Sequence, residues 1–234
     1  MILVLGQAAQ GKTTLITSYL KESPIPSAWI NLEKEDSAPF QFLSSIVESL
    51  EYSLQHIDFS QIHFIYPGRK METESPLYRE WAQGLFKLIS IPFQIVLDGL
   101  DRLSSNAPAW KLLQIFLENT PPNVHWILIS REFPPPPLGI ESFRIRQEAW
   151  VLTNEELAFN LDEAGGFFKK ICQIEIEKDQ LGRIYSATEG WVGGLILLSE
   201  SLSRLSDSFR REYISEGLPD QFKKEIFRYL SIPF

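Results

Sequence analysis

Residues 6–13 read GQAAQGKT, a full match to the pattern GxxxxGK[ST]. They follow the apolar run Ile2–Leu5 and lead into TTLITSYL (13–20), a stretch typical of a helix. A strand, a glycine-bearing loop and a helix in this order form a phosphate cradle, because the N–H groups that open the helix point at the anion. The pattern therefore predicts that the chain binds a nucleoside triphosphate.

Each residue type in this loop suits contact with a phosphate or its metal. Gly6 and Gly11 let the backbone bend and approach the anion, Lys12 reaches the β- and γ-phosphates, and the Thr13 hydroxyl is a ligand for Mg²⁺. The predicted nucleotide-binding residues are Gly6, Gln7, Ala8, Ala9, Gln10, Gly11, Lys12, Thr13 and Thr14.

Residues 94–101 read QIVLDGLD, an apolar strand that ends in an acid. This is the Walker B arrangement, so Asp98 is predicted to hold Mg²⁺ together with Thr13. Asp101 is the predicted catalytic acid, which would polarise the attacking water. Two alternatives stay open: Asp98 is a turn residue before Gly99, or Asp101 is solvated or paired with Arg102.

A further strand, HWILIS (125–130), runs into Arg131. If this strand lies between the phosphate-loop strand and the Walker B strand, Arg131 reaches the γ-phosphate and acts as its sensor. The alternative is a surface arginine paired with Glu132 or another nearby acid. The three histidines share no metal-ligand spacing and are interpreted as structural: His56, His63 and His125.

Short apolar runs alternate with helical patterns in the first two thirds of the chain, which favours an α/β fold with helices on both faces of a parallel sheet. The predicted strands are Ile2–Leu5, Ala28–Leu32, Phe93–Leu97, Val124–Ile129 and, more weakly, Ser142–Ile145. Apolar residues at helical spacing fall around residues 43–54 and 77–89, and a further helix is predicted over 109–117. Residues 57–75 show little periodicity and are predicted to form a loop excursion.

The pattern changes after about residue 150. Thr153 and Glu156 have the spacing of a capping box, and Trp191, Leu195, Leu198, Leu202 and Leu205 mark a helical stripe. The predicted domains are a nucleotide-binding domain over 1–150, an all-helical domain over 151–212, and the start of a winged-helix domain over 213–234. The fold class is thus a P-loop NTPase of the AAA+ type with a five-stranded parallel sheet, followed by a smaller helical domain.

The amino-acid composition limits the kinds of partner that the chain is expected to bind. The formal net charge is −8 and no block of lysine or arginine stands out, so we expect no nucleic-acid contact from this segment. The single cysteine fits a reducing compartment, and no apolar run approaches the roughly 20 residues needed to span a bilayer. We therefore expect a cytoplasmic protein without a membrane anchor.

Several segments together resemble the nucleotide-binding core of the STAND ATPases, signal-transduction ATPases with numerous domains. They most resemble the MalT-like and large LuxR-type branch. The matching stretches are GQAAQGKTTLI (6–16), AWINLEKEDSAPFQFLSSIVESL (28–50), FQIVLDGLDRL (93–103), HWILISREFPPPPL (125–138), AWVLTNEELAFNL (149–161) and ATEGWVGGLILLSESL (187–202). LDGLD departs from the LDDYH usual in that branch and is closer to the NACHT branch.

The resemblance implies a molecular switch that binds ATP, ADP and Mg²⁺, hydrolyses ATP slowly, and self-associates in the ATP state of the full-length protein. It assigns Lys12 and Thr13 to the phosphates, Asp98 to magnesium, Asp101 to catalysis and Arg131 to the γ-phosphate. Gly190-Trp191-Val192 stands where relatives have a Gly-x-Pro contact to the base; since proline is absent, packing of Trp191 in the core is the favoured interpretation. The family has segments before Met1 and after Phe234, so we expect a piece of a larger regulator.

Three other functions are compatible with the motifs. The first is an interaction module that holds ADP and hardly hydrolyses ATP. A P-loop kinase would need a basic lid and an acceptor pocket, for which no pattern stands out. A hexameric AAA+ motor would need an arginine finger, and no arginine of residues 151–212 has a context that selects it. The rate of hydrolysis would separate these alternatives.

Overall fold

The computed structural model describes residues 1–59 and 74–215. The predicted winged-helix start lies almost wholly outside the described residues, as does most of the predicted loop excursion.

The sheet has five parallel strands in the order β2-β3-β4-β1-β5. They are β1 (Ile2–Leu5), β2 (Ser27–Asn31), β3 (Phe93–Asp98), β4 (Val124–Ser130) and β5 (Trp150–Leu152). The central strands are buried on both sides, as expected for a parallel sheet covered by helices. Since β4 lies between β1 and β3, the strand order on which the predicted role of Arg131 depends is confirmed.

The weakest predicted strand, Ser142–Ile145, is wrong: those residues belong to a helix, Ile140–Ile145. Ile140 and Phe143 are buried three residues apart whereas Ile145 is 82% exposed, which is the spacing of a helix and not of a strand. The fifth strand is β5 instead. It escaped prediction because it has only three residues and pairs on one side alone, with β1.

The described helices, in chain order, are α1 (Lys12–Glu22), α2 (Pro39–Ser53), α3 (Glu74–Leu88), α4 (Ala109–Glu118), α5 (Ile140–Ile145), α6 (Asn154–Leu157), α7 (Leu161–Gly166), α8 (Lys178–Thr188), α9 (Val192–Ser203) and α10 (Asp207–Ser215). The helices predicted over 43–54, 77–89 and 109–117 are confirmed as α2, α3 and α4. None of these helices is long and apolar enough to cross a bilayer.

Contacts divide the chain into two units, each with its own core. The first holds Met1–Leu5 and Thr13–Leu152, and its core consists of apolar residues from the strands, α2, α3 and α4. The second holds Gly6–Lys12 and the described residues from Thr153 to Ser215, and its core includes Phe168, Ile184, Leu195, Leu198 and Leu202. By its contacts, the phosphate loop thus belongs to the same unit as helical residues that lie about 150 positions later in the chain.

Candidate nucleotide-binding site

The loop after β1 has the backbone geometry of an anion nest. Ala9 and Gly11 have positive φ angles, 56° and 83°, whereas Gln10 between them does not. Alternation between left- and right-handed residues turns successive N–H groups toward one concavity, which favours an anion. A glycine suits position 11 because a side chain there would be strained even though the space around it is open.

Lys12 opens α1 and folds back over this loop. Its ammonium group donates hydrogen bonds to the carbonyl oxygens of Gly6 at 2.5 Å and Gln7 at 2.8 Å. The positive charge therefore lies beside the nest, where it can neutralise a bound phosphate.

Thr13 and Asp98 are brought together by the first unit. Asp98 ends β3, and its Oδ2 accepts a hydrogen bond from the Thr13 hydroxyl at 3.0 Å. A hydroxyl and one carboxylate are suitable ligands for Mg²⁺, which takes few protein ligands and completes its shell with water and phosphate oxygens. No group of three or more histidine, cysteine or acidic side chains suited to a metal occurs within residues 1–59 and 74–215.

The two predicted catalytic residues contact each other. Asp101 follows β3 in a short 3-10 turn, and its Oδ1 accepts the backbone N–H of Arg131 at 2.9 Å. Its Oδ2 lies 3.6 Å from Nε of Arg131. Arg102, the alternative partner of Asp101, instead pairs with Glu33 at 2.6 Å. Arg131 thus pairs with Asp101, the acid predicted to be catalytic.

The sequence did not identify Asn154 as a residue of the phosphate-loop region. Its Oδ1 accepts the backbone N–H of Gln7 at 3.0 Å, and its carbonyl accepts Nε2 of the buried Gln10 at 3.4 Å. Asn154 is the first residue of α6, whose predicted capping box is confirmed. No local pattern could have indicated this contact, because 147 positions separate Gln7 from Asn154.

The helix that carries Asn154 begins with a capping box formed by Thr153 and Glu156. The Glu156 carboxylate accepts hydrogen bonds from the Thr153 hydroxyl and from the Thr153 backbone N–H. These two bonds, the hydroxyl first, lower the pKa of Glu156 below its usual value because they stabilise the ionised form.

Trp191 combines packing with a contact to the loop. It is 8% exposed, which agrees with the favoured interpretation as a packed residue. Its indole N–H also donates to the carbonyl oxygen of Ala8 at 3.0 Å. A groove of about 300 Å³ lies beside it in the second unit, lined in part by Gln7, Asn154 and Glu189.

Comparison with known proteins confirms the resemblance noted in the sequence. The chain is 27% identical to the HTH-type transcriptional regulator MalT of Yersinia enterocolitica over 238 residues, which are 95% of this chain and 26% of that protein. It is 24% identical to the MalT of Vibrio campbellii over 244 residues, which are 98% of this chain and 26% of that protein. The chain thus spans about a quarter of the length of these curated relatives. No family model matches it.

Solved structures confirm the fold. The ORC1 protein of Aeropyrum pernix in complex with DNA superposes with a TM-score of 0.51 at 15% identity, over 96% of this chain and 59% of that one. Drosophila ORC bound to DNA superposes with a TM-score of 0.54 at 19% identity, over 95% of this chain and 62% of that one. At such identity the likeness concerns the fold alone, an α/β core built on a parallel sheet.

Proposed function

We propose that this chain, a homologue of the MalT-type regulators, binds ATP and ADP with Mg²⁺ and is the slowly hydrolysing nucleotide switch of a larger regulator. The observation that carries the proposal is the hydrogen bond between Thr13 and Asp98. It joins the last residue of the phosphate-loop motif to the acid that ends β3, which is the pairing that nucleotide-bound Mg²⁺ requires.

The loop and its lysine would bind the phosphates. The positive φ angles of Ala9 and Gly11 and the position of the Lys12 ammonium group favour an anion at this loop. Bound Mg²⁺ would neutralise charge on the phosphates, with Thr13 and Asp98 holding it. Both ATP and ADP carry the phosphates that such a loop binds, so we expect both to bind.

Slow hydrolysis is proposed from the contacts that Asp101 makes with Arg131. Both of its carboxylate oxygens face Arg131, one at 2.9 Å from the backbone nitrogen and one at 3.6 Å from Nε. A carboxylate held by the Arg131 backbone N–H and facing its guanidinium is not free to orient an attacking water without first leaving these contacts. The same observation favours the second candidate function, a module that holds ADP with negligible hydrolysis.

The role in the whole protein is proposed from the relatives. Those relatives are named transcriptional regulators with an HTH motif, and the present chain spans only 26% of their length. We propose that transcriptional output and self-association belong to the full-length protein. With a net charge of −8, this segment is proposed to bind nucleotide and no nucleic acid, in the cytoplasm.

Calorimetric titration of the full chain with ATP and with ADP, each with Mg²⁺, tests the proposal. Lys12→Ala should weaken both by at least about 100-fold, since it removes a charged donor to the phosphates. Lys111→Ala is the control, because Lys111 is an exposed lysine of α4 whose ammonium group donates to Gln114 Oε1 in the same helix at 2.8 Å. Equal affinity of the wild type and Lys12→Ala would reject the site.

Release of phosphate over an hour separates the two candidate functions. Slow but measurable release that disappears in Asp98→Ala indicates the switch. Release at the background rate together with tight ADP binding indicates the ADP-holding module. Fast turnover would contradict both and favour a kinase or a motor.

A further inference from the structure

The backbone of the phosphate loop is hydrogen-bonded to two side chains of the helical part of its own unit. The Ala8 carbonyl accepts the Trp191 indole N–H at 3.0 Å, and the Gln7 N–H donates to Asn154 Oδ1 at 3.0 Å. Ala8 and Trp191 are 183 positions apart in the chain. The conformation of the loop therefore depends on where α6 and the start of α9 place these two side chains.

The Trp191 side chain is itself held in one orientation. Its ring lies across the first turn of α9, so closely that a Cβ at Gly193 would be 2.6 Å from the ring and a Cβ at Gly194 would be 2.8 Å from it. The Trp191 backbone N–H donates to Thr188 at 2.8 Å, and its carbonyl accepts the N–H of Leu195 at 3.0 Å. The two glycines thus leave the space that the indole fills, and the indole N–H is directed by packing.

The Trp191 indole binds the peptide group next to Ala9, the residue whose φ angle determines the conformation of the loop. The Ala8 carbonyl belongs to the peptide between Ala8 and Ala9, and Ala9 has the unusual φ of 56°. In a trans peptide the C=O and N–H groups point in opposite directions, so fixing the Ala8 carbonyl toward Trp191 turns the Ala9 N–H away from it. A left-handed alanine is unfavourable by itself and persists only when its surroundings hold it.

Packing at the same place restrains Ala9 further. A Cβ on Gly193 would lie 2.8 Å from the Ala9 Cβ, closer than carbon atoms approach. The loop therefore rests directly on the first turn of α9, and the absence of a side chain at position 193 is needed for both the ring and the loop.

We propose that Trp191 is a positioning residue for phosphate binding: its indole N–H orients the Ala8–Ala9 peptide and so holds the nest in the conformation that accepts an anion. The inference rests on the proposed function, since it concerns the same nucleotide site. Trp191 acts through the loop and is not proposed to touch the nucleotide chemistry itself.

The first test is Trp191→Phe, which keeps an aromatic ring and removes the N–H donor. We expect the dissociation constants of ATP and of ADP to rise by about three- to tenfold, the effect of one lost hydrogen bond, because the loop binds phosphates common to both. Trp150→Phe is the matched control, since Trp150 is 75% exposed on the edge strand β5. Its dissociation constants should equal those of the wild type.

Fluorescence reports whether Trp191 responds to the nucleotide, and the melting temperature compared with the affinities distinguishes positioning from a stabilising role. Nucleotide binding should change the emission of Trp191, because the indole is bonded to the loop that responds. That change should be absent in Trp191→Phe at saturating nucleotide and persist in Trp150→Phe. A tryptophan that only stabilises the fold would lower the melting temperature of nucleotide-free Trp191→Phe and leave its dissociation constants for ATP and ADP equal to those of the wild type.

A second variant changes the turn of α9 against which the loop packs. Gly193→Ala should displace Ala9 or the Trp191 ring and weaken both nucleotides at least as much as Trp191→Phe. Gly182→Ala in α8 is its control, because a Cβ at Gly182 meets no atom within 4 Å. Affinities within twofold of the wild type for both Trp191→Phe and Gly193→Ala, with an unchanged fluorescence response, would overturn this inference alone. Absence of nucleotide binding by the wild type would overturn the proposed function together with it.

Discussion

The Asp101 carboxylate holds Arg131 at two points, accepting its backbone N–H at 2.9 Å and lying 3.6 Å from its Nε. Asp101 follows β3 and Arg131 follows β4, two neighbouring strands of the sheet. The Asp101 side chain is 17% exposed and that of Arg131 is 36% exposed, so the pair is partly shielded from water. An acid assigned to water activation and an arginine assigned to the γ-phosphate are therefore expected to act as one unit.

A double-mutant cycle on ATP affinity tests this coupling. Asp101→Ala and Arg131→Ala should each weaken ATP binding, and the double variant should be weaker by less than the sum. The coupling should be about 0.5–2 kcal/mol, since residues in direct contact depart from additivity by such amounts. Losses that add within about 0.3 kcal/mol would show that Asp101 does not position Arg131.

Arg131→Ala should discriminate between the two nucleotides. We expect about a tenfold loss for ATP and little change for ADP, because only ATP has a γ-phosphate for a charged hydrogen bond from this arginine. Titration calorimetry with both nucleotides measures the ratio. Arg144→Ala is the control, as Arg144 is an exposed arginine that pairs with Glu141 in the same helix. Equal losses for ATP and ADP would reject the sensor role.

Asp98→Asn should remove the effect of magnesium without disturbing the local structure. The amide oxygen of asparagine can still accept the hydrogen bond from Thr13, but the negative charge that attracts Mg²⁺ is gone. In the presence of a chelator, the wild type and the variant should bind ATP equally. Adding Mg²⁺ should raise the affinity of the wild type and should leave Asp98→Asn unchanged. Asp162→Asn is the control, since Asp162 is an exposed acid of α7, and it should respond to Mg²⁺ as the wild type does. A full magnesium response in Asp98→Asn would contradict the metal assignment.

Gly11→Ala should destabilise the loop through its backbone. A Cβ there meets no atom within 4 Å, but φ is 83°, so the cost is conformational, about 1–2 kcal/mol. We expect a lower free energy of unfolding and weaker binding of both nucleotides. Gly84→Ala in α3 also meets no atom within 4 Å and lacks the positive φ, so it should be neutral or stabilising. The same melting temperature for both variants would refute the strain argument.

The contribution of Glu156 to the free energy of unfolding should decrease at acidic pH. Hydrogen bonds from Thr153 lower the pKa of Glu156 in the folded protein below its usual value of 4.5. A lowered folded-state pKa stabilises the fold above the unfolded-state pKa, and this contribution is lost as the pH falls through the folded-state value. The difference in unfolding free energy between the wild type and Glu156→Gln should therefore be constant near neutral pH and shrink below about pH 4.5. Urea denaturation at several pH values measures it; a difference that grows in acid would refute the capping role.

Most of the sheet could be predicted because its signals are local. The runs Ile2–Leu5, Phe93–Leu97 and Val124–Ile129 are almost wholly apolar, unlike Ser142–Ile145, and all three are strands of the structure. The error at Ser142–Ile145 has the opposite cause. Four residues are too few to separate a strand from a helix by periodicity, and Trp150–Leu152 is a strand only because β1 offers it a hydrogen-bonding edge.

The phosphate-loop motif, the acid that ends β3 and the arginine after β4 could be recognised in the sequence alone, since each depends on residue types at short spacing in one segment. The partners of those residues were not. Asp101 binds Arg131 across 30 positions, Asn154 binds Gln7 across 147, and Trp191 binds Ala8 across 183. Such contacts arise when strands settle beside one another and helices pack around a shared core, and no local pattern of polar and apolar residues carries that information.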